Sequence, residues 1–230
     1  MKEKIKLTEQ VYLFRFGLIQ PKEINFIPGQ YLILKIKDKS RLYSIASSSF
    51  IKDSFDLIVE IVEGGLASTY LLNLTPKEEV LFQGPAGVFF LRKTPLNKIF
   101  LATGTGIAPI FSMIESSFAL YKKKGDLPNF TLFWGLRHLS DLYLYDKLKK
   151  IKDASEKKFD FWICFSRETN LKGEFFIDGR VNVGLERVIR KEDFKDFEFY
   201  LCGGREVIES LKNYLLERGA VKEKIYFEKF

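Results

Sequence analysis

A chain of 230 residues, 46% hydrophobic and 29% charged, can bury one large core or two small ones and has the composition of an ordinary globular protein. Its net charge of +7 admits phosphorylated ligands, an anionic surface or an acidic protein partner, but no nucleic-acid-binding motif accompanies it. The two cysteines, Cys164 and Cys202, lie in apolar runs and are too few for a disulfide framework or a metal site, and no apolar run approaches the roughly 20 residues of a membrane span; the expectation is a cytoplasmic chain.

The opening Met1-Lys2-Glu3-Lys4-Ile5 runs straight into an alternating segment with no signal-type apolar stretch. Strand-like runs follow at 11–16, 30–37, 41–47, 55–62 and 79–83, separated by Pro28-Gly29, Lys37-Asp38-Lys39, Lys52-Asp53 and Gly84-Pro85. Short strands at this spacing suggest a small barrel or sandwich, and an antiparallel β-barrel is the expectation for residues 1–94. One short helix, 67–74, enters from Gly64-Gly65. Beyond the polar linker Arg92-Lys93-Thr94-Pro95-Leu96 the pattern changes. Strands at 98–102, 130–134, 159–165, 197–202 and 225–227 alternate with helices at 109–123, 142–150, 185–188 and 206–217. That alternation predicts an α/β doubly wound parallel sheet over 95–230. The lysine runs at 122–124 and 147–152 are broken by other residues and read as solvated helix faces. Most of the 23 phenylalanines fall in strand-like runs and read as core.

Two glycine turns carry the chemistry. The strand at 98–102 ends in Thr103-Gly104-Thr105-Gly106-Ile107-Ala108-Pro109. Its glycines permit close backbone approach to a ligand, Pro109 suits the first helical position, and the helix N-terminus is aimed at an anion. By itself such a turn is equally a plain strand–helix connection. The strand at 197–202 ends in Gly203-Gly204. In a doubly wound sheet the first and fourth strands lie side by side, so both turns would line one crevice, with Cys202 at its floor. A buried cysteine is also an ordinary small core residue. Arg137, Ser166 and Arg167 stand at the ends of the next two strands, with Arg180 in a following loop. Cations and a hydroxyl there suit a 2′-phosphate, although Asp178 in the same loop would oppose one.

In the first part, Arg41-Leu42-Tyr43-Ser44-Ile45-Ala46-Ser47-Ser48 places a cation, an aromatic ring and hydroxyls on a strand. Period-two geometry puts Arg41 and Tyr43 on one face and Ser44 on the other. An edge strand alone would also account for this mix. Gly65, Leu66, Ala67 and Ser68 open the short helix and form a second anion-binding turn. The single histidine, His138, sits in a polar loop, which argues against a Ser–His triad.

With these motifs in order, the chain resembles the ferredoxin–NADP reductase family over nearly its whole length. The 41–48 run is similar to that family's flavin motif, and Gly104–Pro109 to its nicotinamide-dinucleotide loop. Ser166-Arg167-Glu168 with Lys172-Gly173-Glu174 is similar to its 2′-phosphate segment, and Glu228-Lys229-Phe230 to its acid–x–aromatic end. The resemblance implies FAD and NADP(H) as cofactors. It implies that Arg41 contacts flavin phosphate, Tyr43 stacks on the isoalloxazine and Ser44 bonds near its reactive nitrogen. Gly65, Leu66, Ala67 and Ser68 would hold the flavin phosphates. Thr105, Gly106 and Gly203 would lie along the dinucleotide, and Arg137, Ser166, Arg167 and Arg180 near its 2′-phosphate. Phe176 would pack on adenine, where the family often has tyrosine. Ser44, Cys202 and Glu228 would be catalytic, and Phe230 would cover the flavin. The implied activity is electron exchange between NADP(H) and an acidic small redox protein, ferredoxin or flavodoxin. The alternative is an NADH-dependent reductase component of an oxygenase or other multi-subunit complex.

Overall fold

The computed structural model describes residues 1–124 and 127–230, apart from the side chains of 121–124 and 191–193. It divides into two compact units, Met1–Leu91 with Ala108–Ala119, and Arg92–Ile107 with Leu120–Phe230.

The first unit is antiparallel, as its turn chemistry dictates. β1 (Glu3–Lys6), β2 (Val11–Gly17) and β5 (Ser54–Glu60) form one three-stranded sheet in the order β1-β2-β5. β3 (Tyr31–Ile36), β4 (Lys39–Ser44) and β6 (Phe82–Ala86) form a second in the order β4-β3-β6. The expected barrel takes the form of these two sheets, joined by a bridge between Ile45 and Leu57. Alternation explains the core: Leu32, Leu34 and Ile36 of β3 are buried, and Tyr31, Ile33 and Lys35 between them are half-buried. Phe16 and Phe55 face each other across β2 and β5 with ring centroids 5.4 Å apart, and Phe82 meets them edge-on at 4.9 and 5.2 Å. α1 (Leu66–Asn73) closes the unit with Leu71 fully buried. α2 (Ile107–Lys124) contributes Ser112 and Ser116, one turn apart, to the same unit.

The second unit is a six-stranded parallel sheet. β7 (Lys98–Thr103), β8 (Phe130–Leu136), β9 (Phe159–Phe165), β10 (Phe176–Asp178), β11 (Glu198–Gly203) and β12 (Ile225–Lys229) lie in the order β10-β9-β8-β7-β11-β12. β7 and β11 are neighbours, as the doubly wound reading requires, with Ala102 opposite Cys202. α4 (Val181–Val188) and α5 (Arg205–Glu217) cover one face through Val181, Leu185, Ile208, Leu211 and Leu215. α3 (Tyr145–Asp153) covers the other, Tyr145 packing on Phe161, whose neighbours Trp162 and Cys164 point the opposite way along β9. The lysines of α3 frame a buried Leu148 and lie half-buried to exposed, two of them in ion pairs with Asp153 and Asp160. The side chains of 122–124 lie outside the described residues.

A buried polar cluster fixes the amino ends of β7 and β11. Lys98 and Glu198, each 2% exposed, pair at 2.6 Å. Thr94 and Tyr200 donate to the two Glu198 oxygens at 2.8 Å, and the Arg92 amide donates to the Tyr200 hydroxyl at 2.9 Å. The segment leading into β7 is thereby tied to the sheet, at the end opposite to the glycine turns.

Candidate functional site

The carboxyl ends of β7 and β11 meet at the two glycine turns. Gly104–Gly106 forms a single 3-10 turn that runs directly into α2, with no side-chain cap on its first residues. The sequence places Pro109 first in the helix; α2 instead starts at Ile107, so Pro109 is third, still where an amide would have no helical partner. A Cβ on Gly106 would lie 2.2 Å from the Cys202 carbonyl oxygen, and one on Gly203 would lie 2.0 Å from Thr103 Oγ1. Glycine at both positions lets the turns close on each other and leaves the backbone amides of 104–106 uncapped at a helix N-terminus. Gly104 itself adopts φ +52°, with open space where a Cβ would stand.

Cys202 is fully buried on this floor, and burial, reinforced by Glu228, pushes its thiol well above the ordinary value. It faces Glu228 across the β11–β12 pair. Phe230 continues that pairing: its amide donates to the Gly203 carbonyl and its carbonyl accepts from the Arg205 amide, both at 3.2 Å. Phe230 is 65% exposed, whereas the Phe227 ring lies under the Lys212 and Lys229 ammonium groups.

The cations at the next strand ends are all exposed. Arg137 and Arg167 are joined through their backbones, the Arg167 amide donating to the Arg137 carbonyl at 3.0 Å, and Ser166 donates to the Leu136 carbonyl. Arg180 caps α4 through its backbone. Among the described residues, none of these three arginines is in an ion pair. Asp178 accepts from the amides of Asn170 and Leu171, and Glu168 accepts from the Leu139 amide and lies 3.2 Å from His138 Nδ1. Both carboxylates hold loop geometry and leave a negative charge in the same region as the arginines. Phe176 is half-buried in β10, its ring edge-on to Phe165 and Tyr145 and backed closely by Gly173.

In the first unit, the β3–β4 register sets Arg41 opposite Leu34, Tyr43 opposite Leu32 and Ser44 opposite Tyr31. Arg41 and Tyr43 therefore share one face and Ser44 the other. Arg41 is exposed and donates to the Ser40 carbonyl at 2.9 Å. Tyr43 is half-buried on the core, which raises its phenol above the ordinary value despite Arg41 nearby. α1 begins after Gly65 with no side-chain cap, so the amides of Leu66, Ala67 and Ser68 end the helix unpaired within it. The Ser68 side chain turns inward instead: it is 6% exposed, and its Oγ accepts from the Val62 amide at 2.9 Å. Sequence reasoning missed the residues that hold the end of the 41–48 run. Ser112 donates to the Ser47 carbonyl at 2.7 Å, and Ser116 accepts from the Ser49 amide at 2.9 Å. Serines at helical spacing, Ser112 and Ser116, among the apolar residues of α2 were the available signal.

Residues 1–91 match the family model described as an oxidoreductase FAD-binding domain, and residues 100–213 that of an oxidoreductase NAD-binding domain. The chain is 30% identical over 229 residues to the toluate 1,2-dioxygenase electron transfer component of Pseudomonas putida, covering 98% of this chain and 65% of that protein. It is 26% identical over 231 residues to the CDP-6-deoxy-L-threo-D-glycero-4-hexulose-3-dehydrase reductase of Yersinia pestis, covering 97% and 65%. The chain thus spans just under two thirds of each relative. Among solved structures, an Amycolatopsis cytochrome P450 reductase shares the fold at TM-score 0.86 and 23% identity, covering 100% of this chain and 68% of that one. The ferredoxin–NADP+ reductase of Plasmodium falciparum shares it at TM-score 0.80 and 20% identity, covering 100% and 94%.

Proposed function

This chain belongs to the ferredoxin–NADP reductase family of FAD- and NAD(P)-binding oxidoreductases, and from that premise we propose that it takes electrons from NADPH and passes them to a separate acidic redox protein such as a ferredoxin or flavodoxin. The observation that carries the choice of NADPH is the set Arg137, Ser166, Arg167 and Arg180, whose three guanidinium groups are exposed and outside any described ion pair. A dianionic 2′-phosphate is the ligand such a set suits, since guanidinium binds phosphate bidentately. The surplus of 37 basic over 30 acidic residues supports an acidic partner, and two buried, unbridged cysteines support a reducing, cytoplasmic setting.

The residues present fit both cofactors. The uncapped start of α1 over Leu66, Ala67 and Ser68, with the exposed Arg41, suits a flavin's phosphates. The Ser68 hydroxyl serves by bracing that turn. Tyr43 offers a half-buried ring for the isoalloxazine, and Ser44 a hydroxyl on the opposite face of β4. Thr105, Gly106 and Gly203 suit the dinucleotide's pyrophosphate, and Phe176 offers a ring edge for adenine. Bound flavin supplies a ring that accepts a hydride and releases electrons singly. For that chemistry Cys202 keeps its proton, Glu228 beside it holds a carboxylate at the strand end, and Phe230 is the aromatic shield that gives way to nicotinamide.

A second reading has its own observation. Two relatives, each 30% identical, carry names of dioxygenase electron transfer components, which favours an NADH-dependent reductase component of an oxygenase. One experiment separates the readings: identify the flavin in the purified protein, then titrate it anaerobically with NADPH and NADH. Preference for NADPH that Arg167→Ala abolishes supports the first. Preference for NADH supports the second, and a protein that retains no flavin overturns both. Phe230→Ala should alter nicotinamide affinity; unchanged binding and turnover would remove the shield.

A further inference from the structure

We infer that Trp134 and Tyr143 are positioning residues for the Gly104–Gly106 turn, holding the Gly104 carbonyl back so that the next amide faces the pyrophosphate; this rests on the reading that the turn takes a dinucleotide. The Trp134 indole Nε1 donates to the Gly104 carbonyl at 2.9 Å, and the Tyr143 hydroxyl donates to the same oxygen at 3.3 Å. The Ile107 amide, the ordinary helical donor, also reaches it. Trp134 is fully buried and Tyr143 is 6% exposed, and their rings meet edge-to-face with centroids 4.8 Å apart. A side chain on β8 and one just before α3 thus converge on one peptide of the turn after β7.

The peptide plane makes that convergence consequential. In a trans peptide the carbonyl and the following N–H point in opposite directions. Fixing the Gly104 carbonyl inward fixes the Thr105 N–H outward, where an anion at the helix N-terminus would be met. Gly104 needs such a brace, because at φ +52° with open space around it glycine has little of its own to hold one peptide orientation. If the peptide turned over, a carbonyl oxygen would face the phosphates. Burial alone does not aim an indole at an acceptor in this fold. Trp162 Nε1 is buried without a hydrogen-bond partner among the described residues. Trp134 is therefore placed for its bond as well as for its packing.

The test uses the full chain with its flavin. Equilibrium titration calorimetry with NADP+ and NAD+ identifies which dinucleotide the wild type binds. Trp134→Phe should then weaken that dinucleotide roughly fivefold to tenfold, the effect of one lost buried hydrogen bond. Tyr143→Phe, which removes only a hydroxyl with a longer bond, should weaken it less. In rapid mixing with the reduced dinucleotide, the concentration giving half-maximal flavin reduction should rise in the same order while the limiting rate and flavin affinity stay unchanged. Unchanged dinucleotide affinity in both variants would overturn the proposal, as would a fall in limiting rate without a change in affinity. Should Trp134→Phe fail to fold, Tyr143→Phe carries the test alone. A wild type that binds neither dinucleotide refutes the underlying reading of the turn, a result distinct from either of these.

Discussion

Gly106 shows how much a single hydrogen atom decides in this fold. A Cβ there would sit 2.2 Å from the Cys202 carbonyl oxygen and 2.9 Å from the Gly203 amide nitrogen, both rigid backbone atoms. Gly106→Ala must push the turn away from β11, and overpacking of this kind costs about 1–3 kcal/mol. The expected outcome is a lower melting temperature together with loss of dinucleotide binding, measured by thermal denaturation and calorimetric titration. Gly204→Ala is the matched control, since nothing lies within 4 Å of its would-be Cβ. It should change stability by no more than about 0.5 kcal/mol. A Gly106→Ala protein as stable as the control would show that the turns do not need their close approach. At this scale the sequence was legible where residue type implies geometry, as for the alternation of Arg41, Tyr43 and Ser44. It was not legible where a side chain had two uses. Ser68, expected at the flavin phosphates, also accepts from the Val62 amide, and Asp178, expected to oppose a phosphate, also accepts from the Asn170 amide of its own loop.

At the scale of elements, the start of the parallel sheet depends on one buried ion pair. Desolvation lowers the Lys98 ammonium from its ordinary value, and Glu198 restores part of the loss. Removing one partner from such a pair leaves the other charge buried alone, at a cost of about 3–5 kcal/mol. Glu198→Ala should therefore destabilise the second unit strongly in urea unfolding. The double variant Lys98→Met/Glu198→Leu should recover most of that stability, because it leaves no charge to desolvate. Equal destabilisation in both would place the cost in packing instead. Nothing in the sequence marked this pair, because a lysine opening one strand and a glutamate opening another read as strand-end charges until the topology makes β7 and β11 neighbours. The same limit explains the missed elements. β1 has four exposed residues at a sheet edge and so no apolar period, and β10 has only three residues. α4 starts four residues before the expected helix, at Val181, because Val181, Asn182, Val183 and Gly184 are poor helix formers. Gly184 is nonetheless favoured there, since a Cβ would lie 2.8 Å from the Cys164 sulfur. β6 runs through Gly84-Pro85, which reads as a turn; an edge position tolerates the proline.

The whole molecule carries a basic surface around two apolar interiors, and the second of these holds both thiols. Burial pushes the Cys164 thiol from its ordinary value of 9.0 up to about 12, and raises Cys202 well above it, with Glu228 adding to the effect. Tyr200 is raised as well, chiefly by burial. Folded values above unfolded ones mean that the native state keeps these protons when the unfolded chain releases them. Their contribution to stability is complete below about pH 9 and is lost as pH rises toward the folded values. Between roughly pH 9 and 12 the Cys164 thiol should lower the free energy of unfolding by about 1.4 kcal/mol per pH unit. Lys98 works in the opposite sense, because its folded value lies below the ordinary 10.5 and the unfolded chain holds that proton longer. The comparison that isolates the thiols is therefore between variants at fixed Lys98. Urea unfolding followed by circular dichroism at several values from pH 8 to 11 should show a slope for Cys164→Ala that is shallower than wild type by one proton. The variant will be less stable at pH 8 from the lost sulfur packing, and the two curves should converge as the pH rises. Parallel curves would mean that the Cys164 thiol ionises equally in both states, so that its burial contributes packing and no proton linkage.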